Sequence, residues 1–64
     1  MSSMSEKVVI DYDEIELDRE DLNAILFEIE ERSVWIPRSL ILNHDEDERT
    51  ITVPEWFAID KELV

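Results

Sequence analysis

The side chains of this sequence that could do chemistry are a single histidine, His44, and eighteen carboxylates, with no cysteine among them. His44 lies in the run Asn43-His44-Asp45-Glu46-Asp47-Glu48, with neither a cysteine nor a serine beside it to serve as a nucleophile. Acid, base and nucleophile must be held within hydrogen-bonding reach of one another, in matched roles. Two carboxylates divide such roles only when a cleft gives them different environments, and 64 residues scarcely build a cleft. The expectation is therefore that the protein is not an enzyme.

Metal chemistry is the next possibility, since Asp11-x-Asp13 and Asp45-Glu46-Asp47-Glu48 offer hard oxygen ligands. Neither run has the glycine and the distal glutamate of a calcium loop at the right spacing. There is no cluster of histidine and cysteine for zinc. The chain contains no glycine at all, so a glycine-rich phosphate loop is excluded, and six lysines and arginines make no basic patch for nucleic acid. No cofactor and no metal site are expected.

What remains is the acid itself. Eighteen acidic against six basic residues give a net charge of −12, which repels nucleic acid and anionic membranes and favours a positively charged partner. The plainer account is that excess acid serves solubility. No segment approaches the ~20 apolar residues of a membrane span, and Met1 to Glu6 has neither the basic nor the apolar stretch of a secretion signal. The lack of cysteine fits a reducing, cytoplasmic setting.

The elements that must position this charge can be read from periodicity. Residues 1–6 read as a frayed, disordered terminus and residues 7–64 as one small acidic domain, too small for a large core. From Lys7 to Leu17 the chain alternates partly, with Tyr12, Glu14, Glu16 and Asp18 on one side and Asp13, Ile15 and Leu17 on the other, which predicts one half-buried strand. Arg19 to Asp21 makes a turn. Leu22 to Ile29 is nearly continuous in apolar residues and reads as a strand buried on both faces, or else as a short buried helix. It pairs as a hairpin with residues 33–36.

Two strand ends run into proline, at Val34-Trp35-Ile36-Pro37 and Thr52-Val53-Pro54-Glu55-Trp56, and each is expected to hand over to a helical turn. Residues 43–48 read as a solvated loop and Arg49 to Val53 as a further strand. In the C-terminal helix Trp56, Phe57, Ile59 and Leu63 fall near one face. Without glycine, positive φ is expected at Asn23, Asn43, His44 or an aspartate, with wide turns favoured over two-residue hairpins. The fold expected is β-rich: a small twisted antiparallel sheet or SH3-like partial barrel of three to five strands, with one short C-terminal helix.

On such a strand Glu14, Glu16 and Asp18 would project from one face at intervals of about 6.7 Å. Two phosphate steps of a DNA strand rise about 6.8 Å. Joined by Asp21, Glu28, Glu30 and the run Asp45, Glu46, Asp47 and Glu48, this row could present a phosphate-like surface to a basic groove. Tyr12, Trp35 and Arg38 are the candidates for fixed contacts, because aromatic and arginine side chains dominate binding hot spots. Against this, at least one of Trp35 and Trp56 is expected in the core, and Arg38 is expected to pair with a neighbouring carboxylate.

The segments Val34-Trp35-Ile36-Pro37-Arg38-Ser39-Leu40-Ile41 and Ile51-Thr52-Val53-Pro54-Glu55-Trp56-Phe57-Ala58 resemble small acidic bacteriophage and prophage proteins with a W-[IL]-P-[KR]-S box and a V-P-x-W box. The resemblance covers roughly residues 22–63 and departs from the pattern between Glu30 and Ser33 and at Lys61-Glu62-Leu63-Val64. It implies a viral origin, and viral acidic proteins include mimics of nucleic acid that switch off host defence enzymes. The function expected is thus an inhibitor acting in the cytoplasm of a bacterial host. It would bind the basic nucleic-acid groove of a defence complex, a CRISPR effector ahead of a restriction enzyme. The alternative is a small assembly module, a homodimer, whose acidity serves solubility only.

Overall fold

The computed structural model describes residues 6–64, and the element order is β1 (Lys7–Asp11), β2 (Glu14–Leu17), β3 (Ala24–Ile29), β4 (Arg32–Pro37), β5 (Asn43–Asp45), β6 (Thr50–Pro54) and α1 (Glu55–Asp60). A single 3-10 turn at Arg38–Leu40 joins β4 to β5. The strands form two antiparallel three-stranded sheets, ordered β1-β6-β5 and β2-β3-β4. The protein is therefore β-rich with one short C-terminal helix, and it has six strands where three to five were expected. The frayed terminus expected over residues 1–6 lies outside the described residues except for Glu6, whose carbonyl accepts a hydrogen bond from Glu55 N at 2.9 Å.

The run from Lys7 to Leu17 is not one strand. It breaks at Tyr12-Asp13, where the two successive amides turn to different sheets: Tyr12 N donates to Arg49 O at 2.9 Å and Asp13 N to Glu28 O at 2.7 Å. One chain thus crosses from the first sheet to the second, and the crossing satisfies both backbone donors. The break resets the alternation. Tyr12, expected on the face of Glu14 and Glu16, points inward and is buried.

The strand expected to be buried on both faces is instead one-sided. Along β3, Ile25, Phe27 and Ile29 are buried while Ala24, Leu26 and Glu28 stay partly exposed. A continuous apolar run does not distinguish these cases, because small and apolar residues are tolerated on a solvated face. In the other sheet Ile10, Ile51 and Val53 face inward, and the core closes with Val34, Ile36, Phe57, Ala58 and Leu63. Full burial of a Phe, Ile or Val contributes about 1.5–3 kcal/mol each.

Both prolines hand a strand over to a helical turn as expected, though Pro54 is the extended residue before the helix and not its first helical position. Pro37 ends β4 before the 3-10 turn, and Pro54 ends β6 at φ −61° and ψ 143°, immediately before α1. The helix closes with Glu62 at φ 58°, Glu62 N donating to Ile59 O at 3.0 Å and Leu63 N to Ala58 O at 2.8 Å. This is a Schellman motif, which tucks Leu63 into the core. Trp56 and Ile59, expected on the inner helix face, lie outside at 47% and 58% exposure, because Phe57, Ala58 and Leu63 take the inner positions.

Positive φ falls at Glu30 (51°), Glu31 (66°), Arg49 (58°) and Glu62, at none of the asparagine, histidine or aspartate positions expected. Ile29 pairs with Arg32, so Glu30-Glu31 is a two-residue hairpin loop of the kind the lack of glycine argued against. Strand twist favours left-handed turn residues there strongly enough to override residue preference. The expected loop over 43–48 is partly strand: Asn43, His44 and Asp45 pair with Thr52, Ile51 and Thr50.

Candidate functional site

The outer face of the second sheet gathers three of the expected carboxylates from two strands. Register places Glu14 opposite Glu28 and Ile15 opposite Phe27, and then a β-bulge sets Leu17 against Leu26. Glu16 is the extra residue of that bulge, so Glu16 and Leu17 share the outer side, and the Glu16 carboxylate accepts from Ser33 Oγ at 2.6 Å. On β4, Ser33 lies opposite Glu28, Trp35 opposite Leu26, and Pro37 opposite Ala24. Two rows therefore cross the sheet: Glu14, Glu28 and Ser33 form one, and Leu17, Leu26 and Trp35 the other.

Like charges directly opposite on an antiparallel pair are destabilising, with Cβ atoms about 4.5–5.5 Å apart. The Glu28 carboxyl is accordingly pushed above the usual carboxylate range, first by its partial burial between strands and then by the charges of Glu14, Glu16, Asp13 and Glu31. The straight row of Glu14, Glu16 and Asp18 at phosphate-like intervals does not form. The bulge breaks its spacing, and Asp18 lies beyond the end of β2.

Asp18 is one of two carboxylates in ion pairs among the described residues, bonded to Arg38 Nη2 at 2.6 Å; the other is Asp21, 2.8 Å from Arg19 Nη2. Arg38 also donates from Nε to Leu22 O at 2.8 Å and from Nη2 to Arg19 O at 2.7 Å. It is a staple for the loop between β2 and β3, and the bond to Asp18 is the pairing with a neighbouring carboxylate expected of it.

The remaining acidic candidates are placed apart. Asp45 Oδ1 accepts from Asp47 N at 3.0 Å and Glu48 N at 3.1 Å, which turns the chain and exposes Glu46, Asp47 and Glu48. Beneath that turn, Tyr12 Oη is 2.7 Å from His44 Nε2, and both rings pack against Phe27 with centroid distances of 4.8 and 5.9 Å. Tyr12 is therefore a core residue and not a surface anchor. Burial, with the charges of Glu46 and Asp45, raises the Tyr12 hydroxyl pKa, and the Arg49 charge opposes the shift. Glu30 stands exposed at the hairpin tip beside Glu31.

Trp35 and Trp56 are 46% and 47% exposed, so neither enters the core, against the expectation for at least one. The interior is already filled by aliphatic side chains with Phe27, Tyr12 and Phe57. The structure thus brings together Glu14, Glu16, Glu28 and Trp35 on one face, and adds Leu17 and Leu26, which sequence reasoning missed. Leu17 was hidden because a bulge, not alternation, puts it outside, and Leu26 because a continuous apolar run does not show which of its faces is solvated. Among the described residues no cluster of histidine, cysteine and carboxylates could hold a metal ion, and no helix is long and apolar enough to cross a membrane.

Comparison with protein-family models, curated proteins and solved structures finds no match to this chain.

Proposed function

We propose that this protein binds the basic nucleic-acid groove of another protein and competes with nucleic acid for it. One observation carries the reading: Glu14 and Glu28 face each other across β2 and β3, with Glu16 beside them, and among the described residues no lysine or arginine forms an ion pair with them. Such a pair works against folding, and a docked cation relieves it. The net charge of −12 adds long-range steering toward a positive surface. The mimicry rests on density of charge, not on phosphate-like spacing, which the bulge removes. The resemblance to phage proteins frames the partner as a bacterial defence complex in the cytoplasm, a CRISPR effector before a restriction enzyme, with the chain as inhibitor and not enzyme.

The test is capture from bacterial lysate on the immobilised protein at low and high salt, with a DNA oligonucleotide as competitor. A nucleic-acid-binding protein retained at low salt, released by salt and displaced by the oligonucleotide is the expected result. Capture indifferent to salt, or a ternary complex with the DNA, overturns the proposal.

The exposure of Leu17, Trp35, Trp56 and Ile59 favours a second reading, a homodimeric assembly module whose acid is only solubilising. Light scattering decides it: a mass that grows with concentration supports the module, and a monomer throughout the micromolar range removes it.

A further inference from the structure

We infer that the outer face of the β2-β3-β4 sheet is a docking surface for an apolar segment of a protein partner flanked by arginine or lysine side chains. This rests on the proposed function in one respect, that the partner is cationic. It departs from pure phosphate mimicry in making an apolar row the centre of the contact.

Leu17, Leu26 and Trp35 lie side by side on three adjacent strands, a continuous apolar strip bordered by Ala24 and Pro37. Leu17 is 36% and Trp35 46% exposed. Glu14, Glu16 and Glu28 border the strip along one side. An apolar centre with a charged rim is the anatomy of a specific protein interface, and a partly exposed indole is its most productive anchor. The charge selects the occupant. Among the described residues no lysine or arginine pairs with Glu14, Glu16 or Glu28: Arg38 is spent on Asp18 and on the carbonyls of Arg19 and Leu22, and Arg32, which with Lys61 flanks Ser33 and Trp35 at the β4 edge, is spent on the carbonyls of Lys61 and Glu62. A second copy would set three further glutamates against these three, with Arg32 and Lys61 only at the β4 edge, so stacking this face on itself adds repulsion to a chain already at −12. Nucleic acid is repelled for the same reason. A guanidinium fits best, since it can pair with Glu14 or Glu28 and stack on the Trp35 ring.

The probes are two synthetic peptides of equal length and charge, one alternating arginine with leucine and one alternating arginine with serine, titrated into isotopically labelled protein and followed by amide NMR. The arginine–leucine peptide is expected to bind at least about tenfold more tightly, equivalent to about 1.4 kcal/mol, and to shift the amides of Glu14, Leu17, Leu26, Glu28 and Trp35. Trp35→Ala is expected to abolish that advantage, and Leu17→Ser to reduce it. Both sites are exposed, and an unchanged amide spectrum elsewhere confirms folding. Equal affinity for the two peptides overturns the inference, as do shifts centred on Asp45 to Glu48 or an undiminished advantage in both variants. The two proposals fail separately. If acid-neutralising variants abolish lysate capture and Trp35→Ala does not, mimicry stands and the docking strip falls. If Trp35→Ala abolishes capture that DNA never displaces, the strip stands and mimicry falls.

Discussion

Tyr12 and Glu28 illustrate how differently two polar side chains are held in one small molecule. The Tyr12 hydroxyl lies at the edge of the core with His44 Nε2 as its partner at 2.7 Å. Tyr12→Phe removes that bond and leaves a partly buried imidazole nitrogen without it, so urea unfolding should show a loss of about 1 kcal/mol. Glu28 is held against repulsion. Its folded pKa is raised above the unfolded value, so the native state binds more protons between the two values and stability falls as pH rises through that window. Glu28→Gln therefore should melt at a higher temperature than wild type at pH 7. The difference should vanish below the ordinary carboxylate range, where Glu28 is itself neutral. A variant less stable than wild type at pH 7 contradicts this account. Which carboxylates lie together was only partly legible: Glu14 and Glu16 stood two apart in a strand-like run, but their pairing with Glu28 depends on register.

At the scale of elements, the hairpin between β3 and β4 is the clearest case of tertiary structure overruling local preference. Glu30 and Glu31 both take left-handed conformations that cost a non-glycine residue about 1–2 kcal/mol each. Replacing them with Asn-Gly should stabilise the fold by about 1–2 kcal/mol, read as a higher urea midpoint at an unchanged slope. Glu62, in the same conformation at the end of α1, should gain about 1 kcal/mol on substitution by glycine. Arg32 adds to that closure by donating from Nη2 to Glu62 O at 2.8 Å and from Nη1 to Lys61 O at 3.3 Å. The prolines were readable because their effect is local: they fix φ and end a strand wherever they stand. The break at Tyr12-Asp13 was not. Both sides of it have strand-forming sequence, and only the separation of two sheets makes the chain turn there.

For the molecule as a whole, charge and core oppose each other. Most of the acid is unpaired and exposed, so screening should stabilise the fold: raising NaCl should lift Tm, each 1 kcal/mol being worth about 4–8 °C in a domain of this size. The same salt should weaken partner binding. Opposite responses of Tm and affinity identify repulsion as the common cause, and a Tm indifferent to salt removes it. The order of residues by itself determined the acidity, the β-rich class, the two proline handovers and the C-terminal helix, because these depend on residue type and short-range pattern. Tertiary structure alone decided that Tyr12 is core, that both tryptophans are outside, and that Leu17 joins Leu26 and Trp35 beside three glutamates. Those outcomes depend on register, and a single bulge or corner inverts which side of a strand a residue occupies without leaving a mark in the sequence.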